Sequence, residues 1–431
     1  MDILFQIVTM MFPKAGVQAG GVPLTLNLVL LAAVIVRNPN QTMLAIQKIK
    51  PVGYLYAVLL VFGAISLILS VGHWKLFKIA EMITVLASPL AIVFASRMNA
   101  EKMLRITCIA LILVDLYAVV QFAVGIVSTA VPGLTYTYGQ SITSKSLGYG
   151  YGSGGADSAN KMPSTYTNGN YLGIFDVLGI ALMLAWRPLT KWWRASRIIA
   201  IVLGAIGLML CGSRSIVIPF ILVCVFLVVQ RYRSWPRRMK GTYLAIGLVG
   251  LAIIVVYLAV FQSNMINHFF NRIVVQTAGD STGAGRTVQW EKLGQNMLLL
   301  GPLQISRLMF FGQESTYDLG GEGLPEFFAT FGAVSTCAFY GMIVAGVVYC
   351  MKNKPIQPIA FGVLCSGVAF SVDQSFYYPP TVMQVFMALG IAVAIMERYT
   401  SDSANDMNHV MTIRAAQHHG AGERSLTIAR V

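Results

Sequence analysis

Residues 197–230 read RIIAIVLGAIGLMLCGSRSIVIPFILVCVFLVVQ. Two apolar runs, Ile198–Leu210 and Ile216–Val229, meet at a short polar turn in which Arg214 is the one charge. The pattern predicts two membrane helices joined by a tight turn, and the rest of the chain repeats it. Of 431 residues, 56% are hydrophobic and 11% charged, and the mean hydropathy is +0.68, far from the range of soluble domains. Crossing the hydrocarbon core takes about 20 apolar residues as a helix. Candidate spans are 22–37, 51–71, 77–96, 103–128, 170–187, 197–211, 214–230, 242–262, 323–350, 357–373 and 378–397. The opening MDILFQIVTMMF runs into PKAGVQAGG and has no basic flank, so it reads as a short or broken first span rather than a cleaved signal. The expectation is an all-α polytopic membrane protein with about 12 transmembrane helices.

Lys and Arg sort by loop. Clusters fall at Arg37 to Lys50, Arg97 to Arg105, Arg187 to Arg197, Arg231 to Lys240, Lys352 to Lys354 and after Arg398. Short basic loops stay cytoplasmic, which places both termini inside and the stretches 129–169 and 263–322 outside. The net charge of +14 is then topology signal, with attraction to an anionic leaflet as a by-product, and does not point to nucleic acid. The six cysteines form no CxxC pair and lie in or beside apolar runs, so they read as packing residues. Residues 1–397 are expected to form a single transmembrane domain and 398–431 a polar cytoplasmic tail. Within 263–322, GRTVQWEKLGQNMLLL predicts an amphipathic helix, capped by Ser281 or Thr282 and ended at Gly301-Pro302.

Candidate chemistry lies on the outer side. An arginine at membrane depth costs a few kcal/mol to insert, so Arg214 calls for a partner or a ligand. Arg286 opens the loop helix, where backbone N–H groups favour anions. Glu326, in EGLPEFFATFG, borders a late span together with Glu322, and a half-buried carboxylate there is a candidate proton acceptor. His268 is the rival base. Asn168 and Asn170 suit sugar hydroxyls or a helix cap. Tyr166, Tyr171 and Trp290 suit sugar rings, whereas Tyr377 and Tyr378 read as interfacial belt residues. Asp115, Glu81 and Asp176 are carboxylates within apolar runs, fit for a proton path, polar pairing or, for Asp176, an acceptor cavity. No DxD motif or metal-ligand spacing occurs, so neither metal nor cofactor is expected.

TYTNGNYLGIF leading into a span, GSRS at an outer turn, GR followed by Trp290 in a long outer loop, and an acidic entry to a late helix together resemble the O-antigen ligase and polymerase superfamily of bacterial glycan-assembly proteins. The likeness runs from about residue 160 to 350. It implies a metal-independent glycosyltransferase of GT-C-like architecture in the bacterial inner membrane, acting on its periplasmic face. Its partner is an undecaprenyl-diphosphate-linked oligosaccharide in the lipid bilayer, with flippase and chain-length or export proteins alongside. The family associates the arginines of the SR and GR motifs with the diphosphate, here Arg214 and Arg286. A planar, always charged guanidinium suits that leaving group. Ligases of the family carry a histidine where this chain has Glu326, which implies a polymerase of repeat units with Glu326 as the base. The alternatives are a ligase to lipid A core or protein, and a transporter or flippase of lipid-linked sugars.

Overall fold

The computed structural model describes residues 1–19, 22–37, 39–71, 76–92, 99–140, 161–234, 275, 286–312 and 322–401. The span expected at 242–262, His268, Ser281, Thr282 and most of the tail lie outside them.

Helix α1 (Asp2–Met11) leads into a hairpin of β1 (Gly16–Ala19) and β2 (Val22–Thr25), paired antiparallel with Gly16 opposite Thr25. The all-α reading passed over this hairpin, although a Gly-Gly dipeptide is a sequence signal for a tight hairpin. Then come α2 (Leu26–Arg37), α3 (Pro39–Gln47), α4 (Lys50–Ser70), α5 (Leu76–Ala87) and α6 (Ala100–Val124). Next are α7 (Gly169–Ala185), α8 (Lys191–Leu210), α9 (Arg214–Ser234), α10 (Arg286–Leu298) and α11 (Pro302–Phe311). The chain continues through α12 (Gly323–Lys352), α13 (Gln357–Val372) and α14 (Pro379–Ser401).

Among the described residues six helices are long and apolar enough to cross a membrane: α4, α6, α8, α12, α14, and α13 with the turn before it. A seventh is counted if α2 and α3, bent by 99°, form one broken span. The protein is a polytopic helical membrane protein. Several expected spans are shorter than read. The run 77–96 is helical only to Ala87, where a 3₁₀ turn at Ser88–Ala91 contains Pro89. The run 22–37 begins as a strand, and Pro39 disfavours helical backbone just before it. Helices α1, α7 and the apolar part of α9 fall below spanning length.

Helix α14 is the most enclosed span, while α4 and α8 bury little of their length. Exposed Val61, Ile68, Ile198, Val202, Leu222, Phe226, Val344 and Val348 give the bundle an apolar outer surface that suits lipid and would be a liability in water. Inside, Phe327, Phe331, Phe339, Phe370, Phe376 and Phe386 are fully buried, with Phe327 and Phe339 stacked at 4.7 Å. One end of the bundle carries an ionic belt, in which Lys48 pairs with Glu397, and Glu101 takes Arg105 at 3.3 Å, Arg398 at 3.6 Å and the Trp186 indole at 3.0 Å.

Helix α12 is broken. Gly332 has φ 80° and ψ 170°, and a Cβ there would lie 2.7 Å from the backbone of Phe310 and Phe311. The break is closed by hydroxyls: Ser66 donates to Phe331 O at 3.3 Å and Thr336 to Gly332 O at 2.6 Å. It sets residues 323–331, with Glu326, apart as a short leading segment. The amphipathic helix α10 lies against that segment through Leu293 and Ala329.

Candidate functional site

At the end of the bundle opposite the ionic belt, a cavity of about 340 Å³ opens between the β-hairpin, α5, the loop at 137–140 and the starts of α7 and α14. Its wall includes Lys14, Gln18, Glu81, Thr84, Thr137, Gln140, Thr167, Tyr171, Tyr377 and Tyr378, together with Phe77 and Leu28. Tyr171 and Tyr378 are stacked at 4.3 Å with planes 12° apart. Aromatic faces beside hydroxyls, amides and a carboxylate form a surface that can take a sugar ring.

Behind this wall stands a buried charge cluster. The Lys78 ammonium pairs with Glu326 Oε1, lies 3.6 Å from Glu81 Oε2, and sits 3.8 Å over the ring of Tyr377. The Tyr377 hydroxyl donates to Thr330 Oγ1 at 2.8 Å, and Thr330 in turn donates to Glu326 Oε1 at 3.5 Å. Thr330 is one turn beyond Glu326, so both face the same neighbour. Glu326 Oε2 is buried and has no hydrogen-bond partner among the described residues. Lys78 and Glu326 are 8% and 6% exposed, so the pair owes its existence to each partner offsetting the other's desolvation.

Sequence reasoning put Glu326 at the reacting centre. The structure sets it one layer back, and Glu81 is the carboxylate in the cavity wall. Lys78, which links them, is not among the candidates the sequence offers. Its partner is 248 positions away, a contact no local pattern signals. Tyr377 and Tyr378, read as belt residues, line the cavity, and Tyr377 is buried.

Arg214 opens α9 after the turn at Cys211–Ser213, as the sequence predicted. Ser215 beside it donates to Asp373 Oδ2 at 2.9 Å, and Asp373 Oδ1 accepts from Ser375 N at 2.8 Å. The segment 373–379 therefore runs from the arginine turn to the cavity wall. Arg214 itself is outside that wall. Arg286 is the first residue of α10, and Trp290 on the same helix is half exposed.

Three expected sugar contacts are spent on structure. Tyr166 is fully buried. Its hydroxyl donates to Met10 O at 2.8 Å and accepts from Gln384 Nε2 at 2.8 Å, tying α1 to α14, and leaves no surface for a ligand. Asn168 caps α7 by accepting from Asn170 N at 3.0 Å, a bond of about 1 kcal/mol. Asn170 Oδ1 accepts from Lys161 at 3.1 Å. Only Tyr171 of that group reaches the cavity.

Asp115 and Asp176 are fully buried between α6, α7 and α8, with no hydrogen-bond partner outside the pair among the described residues. Helix α8 meets them at Gly207, where a Cβ would lie 2.3 Å from Asp115 Oδ1 and 2.8 Å from Asp176 Oδ2. Asp176 therefore faces this helix junction and does not line the cavity.

Lys14 is 4% exposed, and its ammonium donates to Thr135 O. Burial lowers its pKa from 10.5 to about 7. Between those values the unfolded chain binds the proton and the folded chain does not, so stability rises with pH across that window and is flat below it.

The chain matches no protein-family model, and no curated protein matches it.

Proposed function

We propose that this protein is a metal-independent glycosyltransferase that polymerises undecaprenyl-diphosphate-linked oligosaccharide repeat units on the periplasmic face of a bacterial inner membrane. The observation that carries the reading is the cavity in which Glu81, held by Lys78 and Glu326, meets a stacked tyrosine pair. Further support comes from the arginine turn joined to the same wall through Asp373, and from the family resemblance of the GSRS and GR segments. A twelve-span GT-C-like layout belongs to this reading, with the six long helices, the bent pair, the shorter helices α1, α5, α7 and α9 and the run 242–262 supplying the spans. The basic belt at the other end fits a cytoplasmic side.

In this mechanism the acceptor sugar stacks on Tyr171 and Tyr378, and its hydroxyl reaches Glu81. The acceptor oxygen bonds to the anomeric carbon of the donor. The bond from that carbon to the diphosphate breaks, and its electron pair leaves with the diphosphate. The hydroxyl proton passes to Glu81, whose orientation is set by Lys78 and, through it, Glu326. Arg214 and Arg286 stabilise the departing diphosphate. Glu326 is then a positioning residue.

Arg214→Ala is expected to abolish polymer with the protein level unchanged. The check is the size distribution of carrier-linked glycan in cells lacking the chain and complemented with the variant. Single repeat units should accumulate on the carrier. A full ladder made by the variant removes Arg214 from the mechanism. A ladder that stays on the carrier in cells lacking the chain makes the protein a ligase, and units trapped on the cytoplasmic face make it a flippase.

A further inference from the structure

Lys14 has no carboxylate partner among the described residues, although it is buried and lines the cavity. Among the described residues its ammonium donates to one carbonyl, that of Thr135, which leaves two N–H groups and a charge to be compensated. A buried ammonium without a counter-charge is costly to keep, and the same position as a methionine or leucine would not carry that cost. The surroundings are built around it. The hairpin is pinned to the neighbouring loop by Gln18 N donating to Tyr138 O at 2.9 Å and Tyr138 N donating to Gly16 O at 3.1 Å, so Lys14, Gln18, Thr137 and Gln140 form one wall. Glu81 and the tyrosine pair stand in the same cavity.

We propose that this cavity is a subsite for a pyranose bearing an anionic group, a carboxylate or a phosphate, with Lys14 as the residue that recognises the anion. The ring stacks on the Tyr171–Tyr378 platform, Gln18 and Gln140 take equatorial hydroxyls, and Glu81 accepts from the hydroxyl that is to react. The proposal rests on the glycan reading above for the sugar and adds its class: the repeat unit carries an acidic residue at the end that enters this cavity. Among the described residues the other titratable groups facing the cavity are Glu81, Tyr377, Tyr378 and Tyr171, with Lys78 and Glu326 behind them.

The test is direct binding to the purified full-length protein in lipid nanodiscs, read by saturation-transfer NMR with glucuronate, glucose 6-phosphate, glucose and inorganic pyrophosphate as probes. Glucuronate and glucose 6-phosphate are expected to bind at least tenfold more tightly than glucose at pH 6.5. Because the anion restores the proton on Lys14, their affinity should fall about tenfold per pH unit above 7 while glucose binding stays level. Lys14→Met should erase the preference for the charged sugars with a melting temperature no lower than wild type, and Lys14→Arg should keep part of it. Equal binding of glucose and glucuronate overturns the proposal. So does a preference unchanged in Lys14→Met, or a fall in melting temperature with the preference intact, which makes Lys14 a structural tie to Thr135. Pyrophosphate binding as tightly as the charged sugars overturns it as well, by assigning the cavity to the carrier. Since binding is read without turnover, a retained preference in a protein whose deletion leaves cellular glycan unchanged removes the polymerase reading and leaves the subsite standing.

Discussion

Lys78→Met is expected to leave little folded protein in the membrane. Lys78 is the cation that pairs with both Glu326 and Glu81, and no other cation among the described residues pairs with either. Removing one partner of a buried ion pair costs about 3–5 kcal/mol, because the remaining charge is left desolvated and unpaired. Here two carboxylates are left, and the cation–π contact to Tyr377 goes with the ammonium. A loss of that size is a large share of a typical folding free energy of about 5–15 kcal/mol. The double variant Lys78→Met with Glu326→Leu separates the causes. It removes the charge and its principal partner together, so most of the melting temperature should return, as replacing a buried pair by apolar groups often costs little. Polymer should not return, because Glu81 has lost the group that orients it. Thermal unfolding of the purified variants, together with the glycan ladder in complemented cells, reads both. A single variant as stable as wild type shows that the pair is not what holds this region.

Gly332→Ala carries the second large effect. At φ 80° and ψ 170° the backbone is in a region that only glycine occupies readily. The added Cβ would also press within 2.7 Å of the Phe310 and Phe311 backbone, which is main chain and cannot rotate away. Strain and overpacking together amount to about 2–6 kcal/mol. If α12 instead straightens to accommodate alanine, the leading segment carrying Glu326 swings away from Lys78, so stability recovered in this way comes with lost activity. Melting temperature and yield of membrane-inserted protein check the first outcome. A variant that keeps both stability and polymer shows that the break in α12 has no role.

Much of the architecture is legible in the sequence because the signals are local. The turn at 211–215 is fixed by five residues between two apolar runs, and α10 by a helical pattern closed at Gly301-Pro302. Membrane character follows from composition alone. The site is less legible because its contacts are distant in the chain. Glu326 was found through its place at a helix entry, but nothing near it in sequence points to Lys78. Strand β2 hides at the start of the run 22–37, whose hydropathy suggests a span, and hydropathy does not distinguish a strand from a broken helix in so short a segment. Gly332 reads as an ordinary small residue in an apolar helix, since its backbone angle is set by the packing of α11. Tyr377 and Tyr378 have the composition of an interfacial belt, and only the fold of α5 and α7 around them turns them into a wall.

The central claim is that the Glu81 cavity elongates a lipid-linked glycan. The most direct measurement reconstitutes the purified protein in vesicles with undecaprenyl-diphosphate-linked repeat units and follows product size with time, for wild type and for Glu81→Gln. Glutamine keeps the volume and a hydrogen bond toward Lys78's side of the wall while removing the proton acceptor. The account predicts a ladder from wild type and a rate at least about 100-fold lower from Glu81→Gln, at unchanged melting temperature. A ladder made equally well by Glu81→Gln, or none made by wild type, contradicts it.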